Sequence, residues 1–124
     1  MVQEDKELLL KDLCARLPYG VKVNEAIQGD STLIGLVKER AFTTCEVEGC
    51  LNDFHIECIK PYLFPLSSMT KEQRQELQYI TERWMYDTSY SISDSTDWLN
   101  KNHFDYRGLI KKGLAIDATG LNIY

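Results

Sequence analysis

The sequence predicts an α+β domain in which a small antiparallel, SH3-like β-barrel or a curled sheet is flanked by an N-terminal helix and C-terminal helices. Three short apolar runs, at residues 33–37, 42–47 and 54–59, are separated by polar sequence rich in turn residues. Side chains in these runs alternate between two faces, as they do in half-buried strands. Helical periodicity before and after this centre predicts the flanking helices.

We interpret the chain as one domain, with a helix over 1–17, a β-rich core over 18–66 and a mainly helical part over 67–124. A chain of 124 residues buries roughly two thirds of its unfolded surface when it folds. Hydrophobic residues make up 44% of the sequence and charged residues 27%, which is the balance of a globular chain with a real core.

The first helix is predicted over residues 4–17, because apolar side chains recur at helical spacing on one stripe. That stripe consists of Leu9, Leu10, Leu13, Cys14 and Leu17. Asp12 and Arg16 fall among the remaining polar positions, and Cys14 is expected to be a small core residue. Pro18 ends the helix, since proline disfavours the helical conformation in the residue before it.

The β-rich core begins with a short alternating run at 21–23, and a polar loop or turn follows at 24–31. At its other end we expect Pro61 and Pro65 to stop the last strand, because proline donates no hydrogen bond to a strand ladder.

A second helix is predicted from about residue 71 to 85, because Thr70 and Gln73 have the spacing of a capping box. A third helix is expected to reach about residue 102. Its predicted N-cap is Asp94 or Ser95.

Residues 86–95 are interpreted as a loop, or as a short strand through 89–92. A further turn over 106–111 is expected to end near Gly113, a residue type that stops helices. Ala115 and Ile116 then form a strand or a packed tail, and the residues after them are expected to fray.

Charge and hydropathy argue against several classes of function. The formal net charge of -5 argues against nonspecific nucleic-acid binding, which requires several Lys or Arg residues at phosphates. No run approaches the length of a membrane span, and the acidic start does not resemble a signal peptide. We therefore expect a cytoplasmic protein with no membrane contact, whose four cysteines are reduced thiols.

One set of residues has the chemistry of a zinc site. It comprises Cys45, Cys50, His55 and Cys58. Zinc binds these residue types tetrahedrally, but usual sites include a close ligand pair such as Cys-x-x-Cys, which the sequence lacks. On one strand, His55 and Cys58 would also point to opposite faces. Free thiols are therefore preferred to a metal centre, and no cofactor is expected.

The sequence carries no catalytic signature. Only His55 and His103 are available as imidazole partners for a nucleophilic cysteine, and neither lies in a recognised pattern. The seven glycines are dispersed, so no phosphate-cradling loop is present. We expect the protein not to be an enzyme.

The stretch 97–110 concentrates rings and charge, and it has two interpretations. The first is a ligand site in which rings stack a base while a guanidinium holds an anion. Its residues are Trp98, His103, Tyr106 and Arg107. The second is packing, with apolar members in the core and charged members as local caps or an ion pair. Those residues are Trp98, Phe104, Leu109 and Ile110, with Asp105 and Arg107 as the charged pair.

Three parts of the chain carry distinctive motifs: 11–21 (KDLCARLPYGV), 59–63 with 65–70 (IKPYL, PLSSMT), and 98–100 with 103–110 and 113–115 (WLN, HFDYRGLI, GLA). In these motifs the chain resembles short hypothetical proteins of gut anaerobic bacteria, their prophages and mobile elements. The resemblance implies a phage or mobile-element context, in which small proteins often act as inhibitors, adaptors or sequestering proteins.

These observations together favour a noncatalytic binding protein that acts on a protein partner or a ligand. One alternative is sequestration of a small anionic ligand or signalling nucleotide, which would counter host defence. Another is a zinc-stabilised interaction domain. Exposed strand edges would also allow a homo-oligomer to form across a two-fold axis.

Overall fold

In a computed structural model of the chain, residues 1–40, 42–83 and 92–124 are described. The described part holds three α-helices and seven strands. The helices are α1 (Gln3–Arg16), α2 (Lys71–Arg83) and α3 (Ile92–Lys101). The strands are β1 (Lys22–Glu25), β2 (Gly29–Lys38), β3 (Thr43–Val47), β4 (Phe54–His55), β5 (Ile59–Pro65), β6 (Phe104–Asp105) and β7 (Ile116–Asp117).

The sheet is mixed and open. Its order is β4-β3-β2-β1-β5-β6, and β7 also pairs with β5. The pairs among β1 to β5 are antiparallel, whereas β6 and β7 join β5 in parallel. The α+β class with flanking helices is confirmed, but the sheet is not closed into a barrel. A barrel fails because β6 and β7 have only two residues each and join β5, so they cannot return the sheet to β4.

The first two predicted strand runs are confirmed as β2 and β3. The third is confirmed only in part, because Phe54–His55 is strand but Ile56–Cys58 forms a 3₁₀ turn that interrupts the run. The chain becomes extended again at Ile59 and stays so to Pro65. The last strand therefore runs through the segment where Pro61 was predicted to stop it.

Backbone parity explains why Pro61 is tolerated inside β5. The carbonyl of Tyr62 faces the β1 edge, while the carbonyl of Leu63 faces the other edge and accepts a bond from Ala118 N–H at 2.8 Å. Neighbouring strand residues alternate in this way. Pro61 has the parity of Leu63, so its nitrogen faces away from β1 and no hydrogen bond between β1 and β5 is lost.

The helix predictions hold at α1 and α2. Thr70 and Gln73 form the predicted capping box: Gln73 N–H donates to Thr70 Oγ1 at 3.1 Å, and Thr70 N–H donates to Gln73 Oε1 at 2.9 Å. The predicted end of this helix at 84–85 and most of the interpreted loop or strand, 86–91, lie outside the described residues. α3 begins at Ile92, so Asp94 lies in its first turn rather than at its N-cap.

Two α1 predictions are wrong. Cys14 is exposed, whereas Asp12 and Arg16 are completely buried. The buried face centres on Leu9, Leu13 and Arg16. Cys14 lies about 100° around the helix from Leu13, which turns its thiol out of that face.

Two apolar clusters hold the elements together. The larger lies between α1 and the sheet and includes Leu9, Leu13, Ile59 and Leu63. The smaller lies under α2 and α3. It consists of Met69, Trp98 and Phe104, packed against Phe64, Leu77, Ile80 and Leu99. The smaller cluster meets the sheet where β5 pairs with β6, and this junction positions the site described below.

Tyr124 closes the gap between β1 and β6 along one edge of β5. Its hydroxyl accepts a bond from Lys22 N–H at 2.9 Å and donates to the Tyr62 carbonyl at 2.7 Å. Burial raises the pKa of this phenol to about 12, so the hydroxyl stays protonated and can donate. The expectation that the last residues fray is therefore wrong at Tyr124, because the hydroxyl bridges two strands.

We predict that Tyr124→Phe lowers the free energy of unfolding by about 1–2 kcal/mol, because Lys22 N–H and the Tyr62 carbonyl lose their partner. Urea denaturation measures the change. Tyr79→Phe is the matched control, since Tyr79 is exposed on α2. Equal stability losses in the two variants would show that the bridge is not structural.

Candidate functional site

The four residues of the predicted ligand site divide between two places. Tyr106 and Arg107 join a buried network of charged groups around Asp12. His103 lines a cleft beside β6, and Trp98 packs behind it with its ring stacked on Phe104 at 5.7 Å. The structure therefore does not bring the four side chains together in one site.

The buried network is built on an ion pair within α1. Arg16 Nε donates to Asp12 Oδ2 at 2.8 Å, and both side chains have no exposed surface. The i, i+4 spacing on a helix places the two groups side by side. Arg16 Nη2 also donates to the Phe104 carbonyl at 2.5 Å, which ties α1 to β6.

Tyr106 and Arg107 complete this network. Arg107 Nε donates to the other oxygen of Asp12 at 3.2 Å, and Arg107 Nη2 donates to the Tyr106 hydroxyl at 3.0 Å. That hydroxyl donates in turn to Asn100 Oδ1 at 2.9 Å. The Tyr106 ring faces both guanidinium groups, with centroid distances of 5.4 Å to Arg16 Cζ and 4.8 Å to Arg107 Cζ. These contacts stabilise the fold and leave Arg107 engaged with its neighbours.

The rest of the stretch also fits the packing interpretation. Trp98, Phe104 and Leu109 are buried. The carboxylate of Asp105 accepts bonds from Leu109 N–H at 3.0 Å and Ile110 N–H at 2.9 Å, and so caps the turn that begins there.

We predict that Asp12→Asn lowers the free energy of unfolding by about 3–5 kcal/mol, because it leaves the buried guanidinium of Arg16 without a counter-charge. Arg107→Ala should cost less, about 1–2 kcal/mol, since Arg16 still pairs with Asp12. Chemical denaturation of both variants measures these losses. Lys11→Gln is the control on the exposed face of α1 and should change stability by less than about 0.5 kcal/mol. A small effect of Asp12→Asn would contradict this role.

The cleft lies where the end of β5, β6, the start of α2 and the end of α3 meet. Its volume is about 340 Å³. The described residues that line it are Phe64, Ser68, Gln73, Lys101, Asn102, His103, Phe104, Thr119, Gly120 and Tyr124. A second recess, beside α1, holds only about 110 Å³, and the Lys6–Glu57 ion pair at 3.1 Å lies in its lining. The larger cleft is therefore the candidate site.

Aromatic rings form one wall of the cleft. His103 and Tyr124 are stacked, with centroids 3.7 Å apart and planes inclined by 10°. Phe64 lies against Tyr124 at 5.8 Å and against Phe104 at 6.1 Å, and both contacts are tilted. The wall thus contains rings from β5, from β6 with the residue before it, and from the segment after β7.

His103 occupies an unusual backbone position. Its φ of 62° lies in the left-handed region, which glycine or asparagine normally fills after a helix. Its N–H donates to the Asn100 carbonyl at 3.1 Å, and its carbonyl accepts from Phe64 N–H at 2.8 Å. The Nδ1 atom is buried and has no hydrogen-bond partner. A strained, bulky residue held in this way is the kind of outlier that motivates a functional hypothesis.

The imidazole of His103 is neutral at neutral pH. Burial, followed by the positive charge of Arg16, lowers its pKa from 6.5 to about 4. The imidazole that lines the cleft is therefore uncharged, and the positive charge among the lining side chains comes from Lys101.

The polar side chains of the cleft keep unpaired atoms. Gln73 uses Oε1 to accept from Thr70 N–H, so its Nε2 donor stays free. Asn102 uses Nδ2 to donate to the Trp98 carbonyl at 2.9 Å, which leaves Oδ1 as a free acceptor. Among the described residues that line the cleft there is no aspartate or glutamate. The cleft therefore offers a free amide donor, a free amide acceptor and the cation of Lys101 beside its rings.

We predict that the stability of the fold depends on the protonation of His103. Between pH 4 and 6.5 the unfolded chain binds a proton that the folded chain excludes. The free energy of unfolding should thus rise with pH across this window. The stabilisation that comes from the neutral His103 is fully present above pH 6.5.

The variant His103→Asn should lose this part of the slope, because asparagine tolerates a left-handed backbone and does not titrate. Urea unfolding at several pH values within the window measures it. His55→Asn removes an exposed imidazole on β4 and is the matched control. An equal loss of slope in both variants would contradict the assignment to His103.

The cysteine set is not arranged as a metal centre. Burial, followed by the nearby thiols and carboxylates, raises the pKa of Cys45 on β3 to about 12, so this thiol stays protonated. Cys50 packs against the core, Cys58 is exposed, and the His55 ring makes an edge contact with Phe42 at 5.3 Å. Within residues 1–40, 42–83 and 92–124, no group of three or more His, Cys, Asp or Glu side chains is placed to hold a metal ion. All four cysteines are free.

Comparison with known proteins gives no family for this chain. No protein-family model matches it, and neither curated proteins nor solved structures include a significant match. Of the described helices, none combines the length and apolar character needed to cross a membrane.

Sequence reasoning found only part of the cleft. Lys101 and Asn102 stand beside His103 in the stretch that was singled out, so proximity in sequence was a usable signal for them. Phe64 and Tyr124 are far away in the chain and join His103 only through β5 and the bridge to β1. No local pattern in the sequence marks these two residues as site residues.

Proposed function

We propose that this chain is a noncatalytic binding protein that holds a small molecule in the cleft beside β6. The observation that carries the proposal is the combination of an aromatic wall with unpaired polar atoms in a space of about 340 Å³. Small-molecule sites are typically concave and of about 300–1,000 Å³, with a few polar groups set among apolar and aromatic ones.

The polar groups of the cleft support binding more than catalysis. Nucleophilic catalysis requires a nucleophile within hydrogen-bond reach of a base that activates it. The Ser68 hydroxyl instead donates to the Pro65 carbonyl at 2.7 Å. Burial has also left His103 with a pKa of about 4, far below that of an efficient general base at neutral pH.

The resemblance to proteins of prophages and mobile elements gives this binding a biological context. Under that resemblance, the protein would act in the cytoplasm by sequestering a small ligand or signalling nucleotide, and so counter a host defence. Capture needs only affinity and a preorganised site. It does not need turnover.

Native mass spectrometry tests the proposal. The protein is incubated with a bacterial small-molecule extract and its native mass is compared with its denatured mass. We expect the wild type to retain a small molecule and Thr119→Trp to lose it, because the indole fills the cleft from an exposed lining position. Lys112→Trp adds the same ring at an exposed position away from the cleft and should bind as the wild type does.

Three outcomes would contradict the proposal. The wild type captures nothing, or Thr119→Trp retains the same molecule while its melting temperature stays normal, or the added mass is a zinc ion. The last outcome would favour a zinc-stabilised interaction domain instead, and a chelator would then lower the melting temperature.

A further inference from the structure

We propose that the ligand of the cleft is a nucleoside monophosphate or a closely similar planar heterocycle with one anionic group. The base lies against the aromatic wall and the phosphate lies at Lys101. This inference rests on the proposed function and names the chemical class of its ligand. It follows from three features of the lining: flat rings, an amide donor and an amide acceptor, and a lysine, Lys101, that forms no ion pair among the described residues.

The rings favour a planar ligand. His103 and Tyr124 already form a parallel stack, and both line the cleft, so a third flat ring can extend or flank that stack. The ring of Phe64 is inclined by 50° to that of Tyr124. A planar ligand that stacks parallel to the His103 and Tyr124 rings would therefore meet the ring of Phe64 at an angle. Aromatic side chains stack on every nucleobase because each base has a π-face.

The free amide atoms favour a heterocycle over a plain hydrocarbon ring. Gln73 presents a donor and Asn102 presents an acceptor, since their other amide atoms are used within the protein. Nucleobase edges carry donors and acceptors side by side, and amide side chains are their usual partners. An apolar ligand would leave both amide atoms desolvated and unpaired, which disfavours it.

The charge of the lining favours an anion. Lys101 is exposed and has no acidic neighbour among the described residues that line the cleft. Gln73 is the third residue of α2 and lines the cleft, so the positive end of that helix lies beside it. A cationic ligand would meet an unfavourable potential, whereas one phosphate group would be matched by Lys101.

The size of the cleft favours a single nucleotide over a nucleic-acid strand. A volume of about 340 Å³ lies at the small end of the range of small-molecule sites, about 300–1,000 Å³, which suits one nucleotide rather than a strand. The net charge of -5 also opposes a polyanion that extends beyond Lys101. A bare phosphate would leave the aromatic wall without a partner.

Isothermal titration calorimetry with AMP, GMP, CMP and UMP tests the inference, with the nucleoside that corresponds to each nucleotide and inorganic phosphate as reference probes. We expect at least one of the four nucleotides to bind the wild type. Lys101→Ala should lower the affinity for that nucleotide by about tenfold or more, because it removes a charge-assisted contact to phosphate. Lys111→Ala removes an exposed lysine away from the cleft and should leave the affinity unchanged.

The reference probes separate the two parts of the ligand. The nucleoside should bind more weakly than its nucleotide, with an affinity that Lys101→Ala does not alter. Thr119→Trp should abolish binding of both. The inference is overturned if inorganic phosphate competes as strongly as the nucleotide, if Lys101→Ala has no effect, or if none of the four nucleotides binds.

Failure of this inference is distinguishable from failure of the proposed function. If no nucleotide binds but the wild type still captures a small molecule that Thr119→Trp loses, the ligand class is wrong and the binding function stands. If the extract yields no bound molecule either, both are wrong.

Discussion

The guanidinium of Arg16 has no contact with solvent, and the partners that it requires hold the two ends of the fold together. A buried charge is tolerated only when it is paired and hydrogen-bonded. Asp12 supplies the counter-charge from the same helix, and the carbonyl of Phe104 supplies an acceptor 88 residues away along the chain. Because Arg107 takes the second oxygen of Asp12, the carboxylate is also fixed from the far side. α1, β6 and the segment after β6 are therefore held by one set of contacts.

The same contacts preorganise the cleft. Phe104 follows His103 directly, so holding the Phe104 carbonyl also restrains the residue whose ring lines the cleft. On its other side, the His103 carbonyl is bonded to β5 and its ring is stacked on Tyr124. A wall that is fixed before a ligand arrives loses little conformational entropy on binding. The hydrogen bonds and the ring stack on both sides of His103 thus hold its backbone in the left-handed conformation.

Sequence patterns predicted the elements better than their assembly. Thr70 and Gln73 were found because a capping box is local chemistry, readable within four residues. The effect of Pro61 on β5 could not be predicted, because it depends on which edge of β5 pairs with β1. The burial of Asp12 and Arg16 could not be predicted either, because it depends on residues about ninety positions later in the chain. The candidate site shows the same limit, since only the part that is contiguous with His103 lay within reach of sequence reasoning.

The distribution of charge around the aromatic wall connects the buried network to the cleft. Behind the wall, two guanidinium groups face one carboxylate, so the network of Asp12, Arg16 and Arg107 carries a formal charge of plus one. Its positive field helps to keep His103 neutral, as the contribution of Arg16 to the lowered pKa shows. Protonating the imidazole of His103 would place a further positive charge beside this network, whose net charge is already plus one. An anion in the cleft would instead be attracted by the network and by Lys101 together. The buried ion pairs that stabilise the fold thus also favour negative charge on the cleft side of the wall.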